Sequence, residues 1–227
     1  IVTVNETGSP DAGTDGSITL CSTSAATGLF AVLTGAQAGG SWMSPDGSGH
    51  SGTFDPAVDA PGVYTYTLSA TAPCLSDQSE VVVTIVASPD AGADGSLTVC
   101  DQGAPTGLFA QLAGADGGGT WTAPGGGPFS GTYDPVTDAS GGYTYTVNGI
   151  APCVSDQATV TVNETGSPNA GSDGTITLCS YDVVTALFNA LGGGAEPGGS
   201  WTAPGGAPHG TTIDPDSDPA GVYIYTI

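Results

Sequence analysis

The chain carries three copies of one segment, whose middle copy reads Asp134-Pro-Val-Thr-Asp-Ala-Ser-Gly-Gly-Tyr-Thr-Tyr-Thr-Val147. The first copy runs from Asp55 to Leu68 and the third from Asp214 to Ile227. Each copy begins with an acidic turn, bends at a Gly, and then alternates Tyr with β-branched residues. Strict alternation after a turn is the period-two pattern of a strand with one buried face. The segment therefore predicts a β-strand with inward-facing Tyr rings in each copy.

The composition excludes several classes of partner. The chain has 227 residues, no Lys or Arg, and 22 Asp plus Glu, so that only His50 and His209 could supply a side-chain cation. Because phosphate binding depends on Lys and Arg, we expect neither nucleic acid nor anionic membrane as a partner. No apolar run approaches the length of a transmembrane helix, so we expect no membrane insertion. The 38 Gly and 17 Pro, set among short runs of Val, Ile, Thr and Tyr, indicate an all-β chain rich in turns.

A repeat of 79 residues organises the whole chain. Its markers in the first and second copies are Pro10 and Pro89, Cys21 and Cys100, Phe30 and Phe109, Trp42 and Trp121, Asp55 and Asp134, Tyr64 and Tyr143, and Cys74 and Cys153. In the third copy Trp201, Asp214 and Tyr223 come one residue later, after an extra residue in a Gly-rich loop. About 80 residues can bury a modest core, so each copy is predicted to be a domain. The predicted boundaries are 1–9 for the last strand of a preceding repeat, then repeats at 10–88, 89–167 and 168–227.

Within the middle repeat the pattern predicts strands at 96–100, 119–122 and 158–162, the second of which carries Trp121. The apolar spacing in 106–112 fits either one helical turn or an irregular strand. We predict that Trp121 lies in the core rather than on a sugar-binding surface.

The ordered motifs resemble tandem immunoglobulin-like or polycystic-kidney-disease-like modules. These motifs are Pro-Asp-Ala-Gly-x-Asp-Gly, Leu-Phe-x-x-Leu, Gly-Gly-x-Trp, Asp-Pro-x-x-Asp, Gly-x-Tyr-x-Tyr-Thr and Ala-Pro-Cys. Such modules occur in large secreted and cell-surface proteins of Bacteroidota, including adhesins and gliding-associated proteins. The resemblance implies a linear array of Greek-key β-sandwiches with an extracellular structural or adhesive role as a stalk, fibre or filament. It also implies that Tyr64, Tyr143 and Tyr223 form tyrosine corners, each with its hydroxyl tied to the preceding loop. The alternative is a set of carbohydrate-binding modules attached to a secreted enzyme.

The cysteines are expected to pair within each repeat. If Cys21 ends strand B and Cys74 follows strand F, the two lie at one end of the sandwich, which predicts the bonds Cys21–Cys74 and Cys100–Cys153. Cys179 then has no partner within the chain. Long repeats with paired cysteines indicate an oxidising compartment and therefore secretion. A zinc site is the weaker alternative, because two thiols per repeat fall short of four ligands.

Aspartates are the candidate metal ligands. A pair at each corner and a pair in each linker offer the oxygen ligands that Ca²⁺ takes. In a sandwich, the corner of one repeat lies near the linker to the next, so we expect Ca²⁺ to bridge and stiffen the junctions. The predicted ligands are Asp55, Asp59, Asp90, Asp94, Asp134, Asp138, Asn169 and Asp173. The alternative is that these side chains only cap turns.

No catalytic constellation is present, and we expect no enzyme activity. His50 and His209 follow the Trp strand in two repeats, whereas the middle repeat has Phe129 in the corresponding stretch. A base found in two repeats of three, with no placed nucleophile, indicates solvated loop histidines.

The two ends of the sequence are complementary. Residues 1–10 match 159–168, the last strand of the second repeat, and the third repeat stops before the strand that the others possess. Either the chain is a window in a longer array, or residues 1–4 of one copy fill the third repeat of the next copy, head to tail. We favour the window, because strand donation leaves Cys179 without a partner from its own repeat.

Overall fold

The computed structural model describes residues 1–227 and is all-β, with three short 3₁₀ turns as its helical segments. None of these turns is long or apolar enough to cross a bilayer. The chain forms two compact units, Ile1–Thr98 with Pro105–Asn163 and Val99–Ala104 with Glu164–Ile227. The first unit thus holds the first repeat and most of the second.

The first repeat contains seven strands and one 3₁₀ turn. They are β1 (Gly16–Cys21), β2 (Thr27–Gly28), the 3₁₀ turn Leu29–Val32, β3 (Ser41–Met43), β4 (Gly49–His50), β5 (Thr53–Phe54), β6 (Gly62–Leu68) and β7 (Asp77–Val86). One sheet has the order β1-β7-β6-β3-β4, and β2 pairs with β5 in a second sheet. The series β7-β6-β3-β4 corresponds to strands G, F, C and C′ of an immunoglobulin-like sandwich, and β2 and β5 to strands B and E.

The second repeat has the same elements in the same order. They are β8 (Gly95–Cys100), β9 (Thr106–Gly107), the 3₁₀ turn Phe109–Gln111, β10 (Thr120–Thr122), β11 (Pro128–Phe129), β12 (Thr132–Tyr133), β13 (Gly141–Val147) and β14 (Asp156–Thr165). Its main sheet has the order β11-β10-β13-β14-β8. The segment 106–112, for which the sequence left two structures open, contains both a two-residue strand and a 3₁₀ turn.

Period-two burial builds the core of each repeat. In β6, Tyr64 and Tyr66 are buried, and the residues between and beside them face outward. Val81 and Val83 of β7 lie on the same side of the sheet, and the Phe54 ring meets the Tyr64 ring edge-on with centroids 5.5 Å apart. The alternation predicted from the repeated segment is therefore confirmed, and it places two Tyr rings of one strand between the sheets.

The third repeat has fewer strands. They are β15 (Thr185–Ala186), the 3₁₀ turn Leu187–Ala190, β16 (Ser200–Thr202), β17 (Pro208–His209), β18 (Thr212–Ile213) and β19 (Ile224–Thr226). Residues 175–179, which correspond to β1 and β8, form no strand. The reason is that the chain has no third counterpart of β7 and β14, the strands beside which β1 and β8 lie. Residues 1–9, which correspond to the end of β7, are exposed and form no strand either.

Candidate functional site

The acidic corners are tyrosine corners, as predicted. The hydroxyl of Tyr64 donates a hydrogen bond to the carbonyl oxygen of Ala60 at 2.8 Å, and Tyr143 does the same to Ala139 at 2.7 Å. In the third repeat Tyr223 donates to Pro219 at 2.7 Å. Burial raises the pKa of Tyr64, with a further contribution from the negative charges of nearby Asp59 and Asp46. Each Tyr therefore fastens the turn between strands E and F to the core.

The corner aspartates cap the turns in which they lie. In each repeat the second Asp accepts a hydrogen bond from the backbone N–H of the first, and the first accepts one from the N–H two residues later. The distances from the second carboxylate are 2.7 Å for Asp59, 2.9 Å for Asp138 and 2.7 Å for Asp218. Only one carboxylate oxygen of Asp55, Asp134 and Asp214 is used in these turn bonds.

The second linker aspartate of each of the first two repeats, Asp15 or Asp94, is bonded to the last strand of its own repeat. Asp94 accepts a hydrogen bond from the N–H of Thr159 in β14 at 2.7 Å, and Asp90 accepts one from Gly92 at 2.8 Å. Asp156, at the start of β14, accepts a hydrogen bond from the N–H of Ala91 at 2.8 Å. In the first repeat, the N–H of Ala12 donates the equivalent hydrogen bond to Asp77. No local pattern pointed to Asp77 and Asp156, because the residues that they bind lie 65 positions away in the sequence.

The Asp and Glu carboxylates of the structure do not lie together as a coordination site for a metal ion. Nowhere in the chain do three or more His, Cys, Asp or Glu side chains lie together so that they could hold one. Because Ca²⁺ takes six to eight oxygen ligands, a corner pair alone is too few. Asn169, predicted as a ligand in the third linker, donates from its amide nitrogen to the carbonyl oxygens of Gly193 and Gly194, and its amide oxygen accepts from the N–H of Gly171. Calcium at the junctions stays a prediction from charge.

The histidines are packed rather than solvated, contrary to the sequence interpretation. The His50 side chain is 11% exposed, its ring lies 4.8 Å from that of Tyr64, and its Nε2 is 3.4 Å from a carboxylate oxygen of Asp59. His209 has the same neighbours in the third repeat. Phe129 occupies the equivalent position in the second repeat, with its ring 4.5 Å from Tyr143. A flat ring against the corner Tyr is therefore the shared requirement, which explains why Phe replaces His.

The tryptophans lie inside the repeats. Trp42 and Trp121 are each 8% exposed and Trp201 is 5% exposed. Each packs on the second Tyr of the repeated segment, with ring centroids 4.9 to 5.0 Å apart. Stacking on a sugar requires exposed aromatic faces, so these rings supply core packing and do not support the carbohydrate-binding alternative.

The disulfide joins two different repeats, and the predicted pairs Cys21–Cys74 and Cys100–Cys153 are wrong. Cys21 is bonded to Cys153, with Cα atoms 5.0 Å apart and a sequence separation of 132. Cys74, Cys100 and Cys179 are free.

Strand order explains the correction. β1 is not strand B but runs parallel to β7, so that Cys21 lies beside Val86 at the end of β7. Cys74 precedes the start of β7 at Asp77, and ten residues of strand span about 30 Å. Disulfide-bonded residues have Cα atoms about 4.4 to 6.8 Å apart, so the two cysteines of one repeat cannot meet. Cys153, the loop cysteine of the following repeat, lies on the other side of the linker and is close enough to Cys21 to form the bond.

Hydrogen bonds surround this bond at the junction. Ser22 donates from its N–H to the carbonyl oxygen of Val86 and accepts at its hydroxyl from the N–H of Ser88, both at 2.9 Å. The sulfur of Cys153 lies 3.4 Å from the same Val86 oxygen. After the second repeat, Asp101 takes the place of Ser22 and accepts hydrogen bonds from the hydroxyl and the N–H of Ser167, which lower the pKa of its carboxyl group. The residue after each strand-end cysteine therefore holds the outgoing linker.

No protein-family model and no curated protein sequence matches this chain. Among solved structures, it is similar to immunoglobulin domains 1–5 of Sidekick-1, with 12% sequence identity and a TM-score of 0.29, over 88% of this chain and 50% of that chain. The chain thus spans about half the length of that structure. The immunoglobulin-like fold of the repeats is shown by their own strand order and tyrosine corners.

Proposed function

We propose that the chain is a load-bearing part of an extracellular stalk or filament, with a structural or adhesive role, in which consecutive immunoglobulin-like repeats are joined covalently. The observation that carries this proposal is the Cys21–Cys153 bond. A disulfide inside a domain stabilises that domain, whereas a bond between domains fixes the link between them. Its presence favours an oxidising compartment, consistent with a secreted or cell-surface location.

The position of the bond favours a mechanical role. Pulling force that enters at the first residues passes along β1 to Cys21, crosses the disulfide to Cys153, and continues into β14. The chain between the two cysteines is then outside the path of the force. β1 is held along its length by six register pairs with the parallel strand β7. Separating these strands along their axis requires many hydrogen bonds to break together.

The composition supports the same proposal. The net charge of −22 repels other copies of the chain laterally and favours an extended arrangement of repeats. Trp42, Trp121 and Trp201 are buried and are therefore not available for stacking on a sugar. The expected partners are further repeats or copies of the same protein.

A single-molecule force experiment tests this proposal. Under oxidising conditions the residues between Cys21 and Cys153 should not extend, and reduction should release them. At about 3.6 Å per residue, 132 residues correspond to about 470 Å of added contour length. Cys153→Ser should give the long contour length without reductant, and Cys100→Ser, at an exposed free cysteine, should behave as the unaltered chain. Equal contour lengths with and without reductant would refute a load path through the disulfide.

A further inference from the structure

One edge of the main sheet in the first repeat is open along a whole strand. β1 is the outermost strand of this sheet, and it pairs with β7 on one side only. Proteins commonly protect such an edge with charged residues, Pro or a bulge. β1 reads Gly-Ser-Ile-Thr-Leu-Cys, and its register with β7 is unbroken over all six pairs. The edge therefore has none of these protections.

The backbone groups of two residues point outward from this edge. The N–H of Ser22 donates to the carbonyl oxygen at the end of β7, so that Ser22 faces that strand. The N–H and the carbonyl oxygen of Cys21 instead bond to Ser24 in the following turn. Because the backbone groups of successive strand residues point to opposite edges, those of Ser17 and Thr19 point away from β7. Both residues are exposed, so their N–H and C=O groups are available to another strand.

Apolar side chains lie next to the open edge. Ile18 and Leu20 alternate with the two outward-facing residues and are half-buried against the core. Val32 of the 3₁₀ turn packs against the same core. A strand added beside β1 places every second side chain on this inner face, next to Ile18 and Leu20. Its inward positions are therefore expected to be apolar.

Charge indicates what kind of strand fits. Asp15 directly precedes β1 and accepts a hydrogen bond from the N–H of Glu80 in β7 at 2.8 Å, and the Glu80 side chain is exposed. Both carboxylates thus lie beside the start of the open edge. The whole chain has no Lys or Arg and a net charge of −22. A second copy would bring further carboxylates to this edge, whereas a basic segment brings the complementary charge.

The second repeat has the same edge. β8 is the outermost strand of its sheet, next to β14, and reads Gly-Ser-Leu-Thr-Val-Cys without a charged residue or Pro. Ser96 and Thr98 are exposed, and Leu97 and Val99 between and after them are half-buried. The other edge of each sheet is a strand of two residues, and in the second repeat that strand begins with Pro128. The long open edge is therefore a repeated feature of one side of the sheet.

We propose that the outer edges of β1 and β8 bind extended, basic segments of another protein by strand addition. The added strand lies antiparallel to β1 and exchanges backbone hydrogen bonds with Ser17 and Thr19. Its residues opposite these two are Lys or Arg, whose side chains point to the solvent face near Glu80. The residues between them are apolar and lie next to Ile18 and Leu20. This binding surface goes beyond the proposed load-bearing role and does not depend on the path of the force.

Hydrogen exchange with a synthetic peptide of alternating Lys and Val tests the contact. In the free chain, the N–H groups of Ser17 and Thr19 should exchange much faster than those of Ile18 and Leu20, which face β7. The peptide should slow exchange at Ser17 and Thr19 about tenfold or more, because their N–H groups become hydrogen-bonded. The same peptide N-methylated at its Lys residues should not bind, since those residues carry the N–H groups that face β1. N-methylation at its Val residues should leave binding intact, and both modified peptides keep the charge.

Proline variants test the edge from the side of the protein. The double variant Ser17→Pro with Ser96→Pro removes one outward N–H from each edge and leaves the hydrogen bonds to β7 and β14 in place. Its affinity for the Lys-Val peptide should fall about tenfold or more, while its urea midpoint stays close to that of the unaltered chain. The matched control, Ser17→Ala with Ser96→Ala, keeps the backbone donors and should keep the affinity.

Four outcomes would overturn the proposal. Equal binding of the two N-methylated peptides, or full affinity in the proline variant, would exclude strand addition. Slow exchange at Ser17 and Thr19 in the free chain would show that the edge is already covered. A Glu-Val peptide that binds as tightly as the Lys-Val peptide would exclude a basic partner. A dimer of the unaltered chain in sedimentation, lost in the proline variant, would assign the edge to a second copy instead.

Discussion

Loss of the Cys21–Cys153 bond should destabilise the first two repeats strongly. In the chain-entropy model, closing a loop of 132 residues stabilises the folded state by about 5 kcal/mol. We expect Cys153→Ser to lose most of this amount. Cys74→Ser should have almost no effect in dilute solution, because Cys74 is free. Pairing within repeats would have made Cys74 as important as Cys21, so this variant discriminates between the two connectivities.

The assay is equilibrium unfolding in urea followed by the fluorescence of single tryptophans. Variants that keep only Trp42 or only Trp121 report on the first and second repeats, whose rings are both buried. With the disulfide intact, we expect the two reporters to unfold together, and after reduction we expect separate transitions. A loss below about 1 kcal/mol in Cys153→Ser, or a loss of several in Cys74→Ser, would refute the reasoning.

Two other predictions rest on single contacts, and a third concerns calcium at the junctions. Tyr66→Phe should cost about 2 kcal/mol in urea unfolding, because its hydroxyl both donates to Gln37 and accepts from Gly40, whereas Tyr64→Phe, which loses the hydrogen bond to Ala60, should cost about 1 kcal/mol; equal costs would contradict this. Hydrogen bonds from Ser167 lower the pKa of Asp101, so the wild-type chain should be more stable than Asp101→Asn at pH values above the usual carboxyl pKa. In melting experiments at decreasing pH, this stability advantage should vanish as the pH falls through the lowered pKa. An advantage that persists in strong acid would contradict the prediction. If Ca²⁺ stiffens the junctions, a chelator should lower the melting temperature and shorten the particle in X-ray scattering, and no change in either would exclude the prediction.

The sequence predicted the local part of the candidate site correctly. A Tyr two residues after a Gly bend, with an acidic turn before it, requires only neighbouring residues to form its corner, and the Tyr64–Ala60 hydrogen bond spans four positions. The alternation in β6 also fixed which face is buried, so that the place of Tyr66 in the core was predictable. The Asp turn caps were among the stated alternatives for the same reason.

The histidines show where local pattern was insufficient. His50 lies in a two-residue strand paired with β3, opposite Trp42, and this pairing turns its ring onto Tyr64. The substitution of Phe129 at the equivalent position was a signal of an apolar contact, but it was detectable only once the repeats were aligned residue by residue. Burial there is decided by a neighbouring strand and not by the residue itself.

The sequence by itself determined the repeat, the strands, the buried Tyr and Trp positions and the tyrosine corners, because periodicity and turn chemistry act over a few residues. Only the tertiary structure decided the partner of Cys21. Parallel pairing of β1 with β7 carries that cysteine to the end of the repeat opposite Cys74, and antiparallel pairing would have kept the two together. Strand direction depends on contacts about 65 residues apart, and no local pattern in β1 distinguishes the two arrangements.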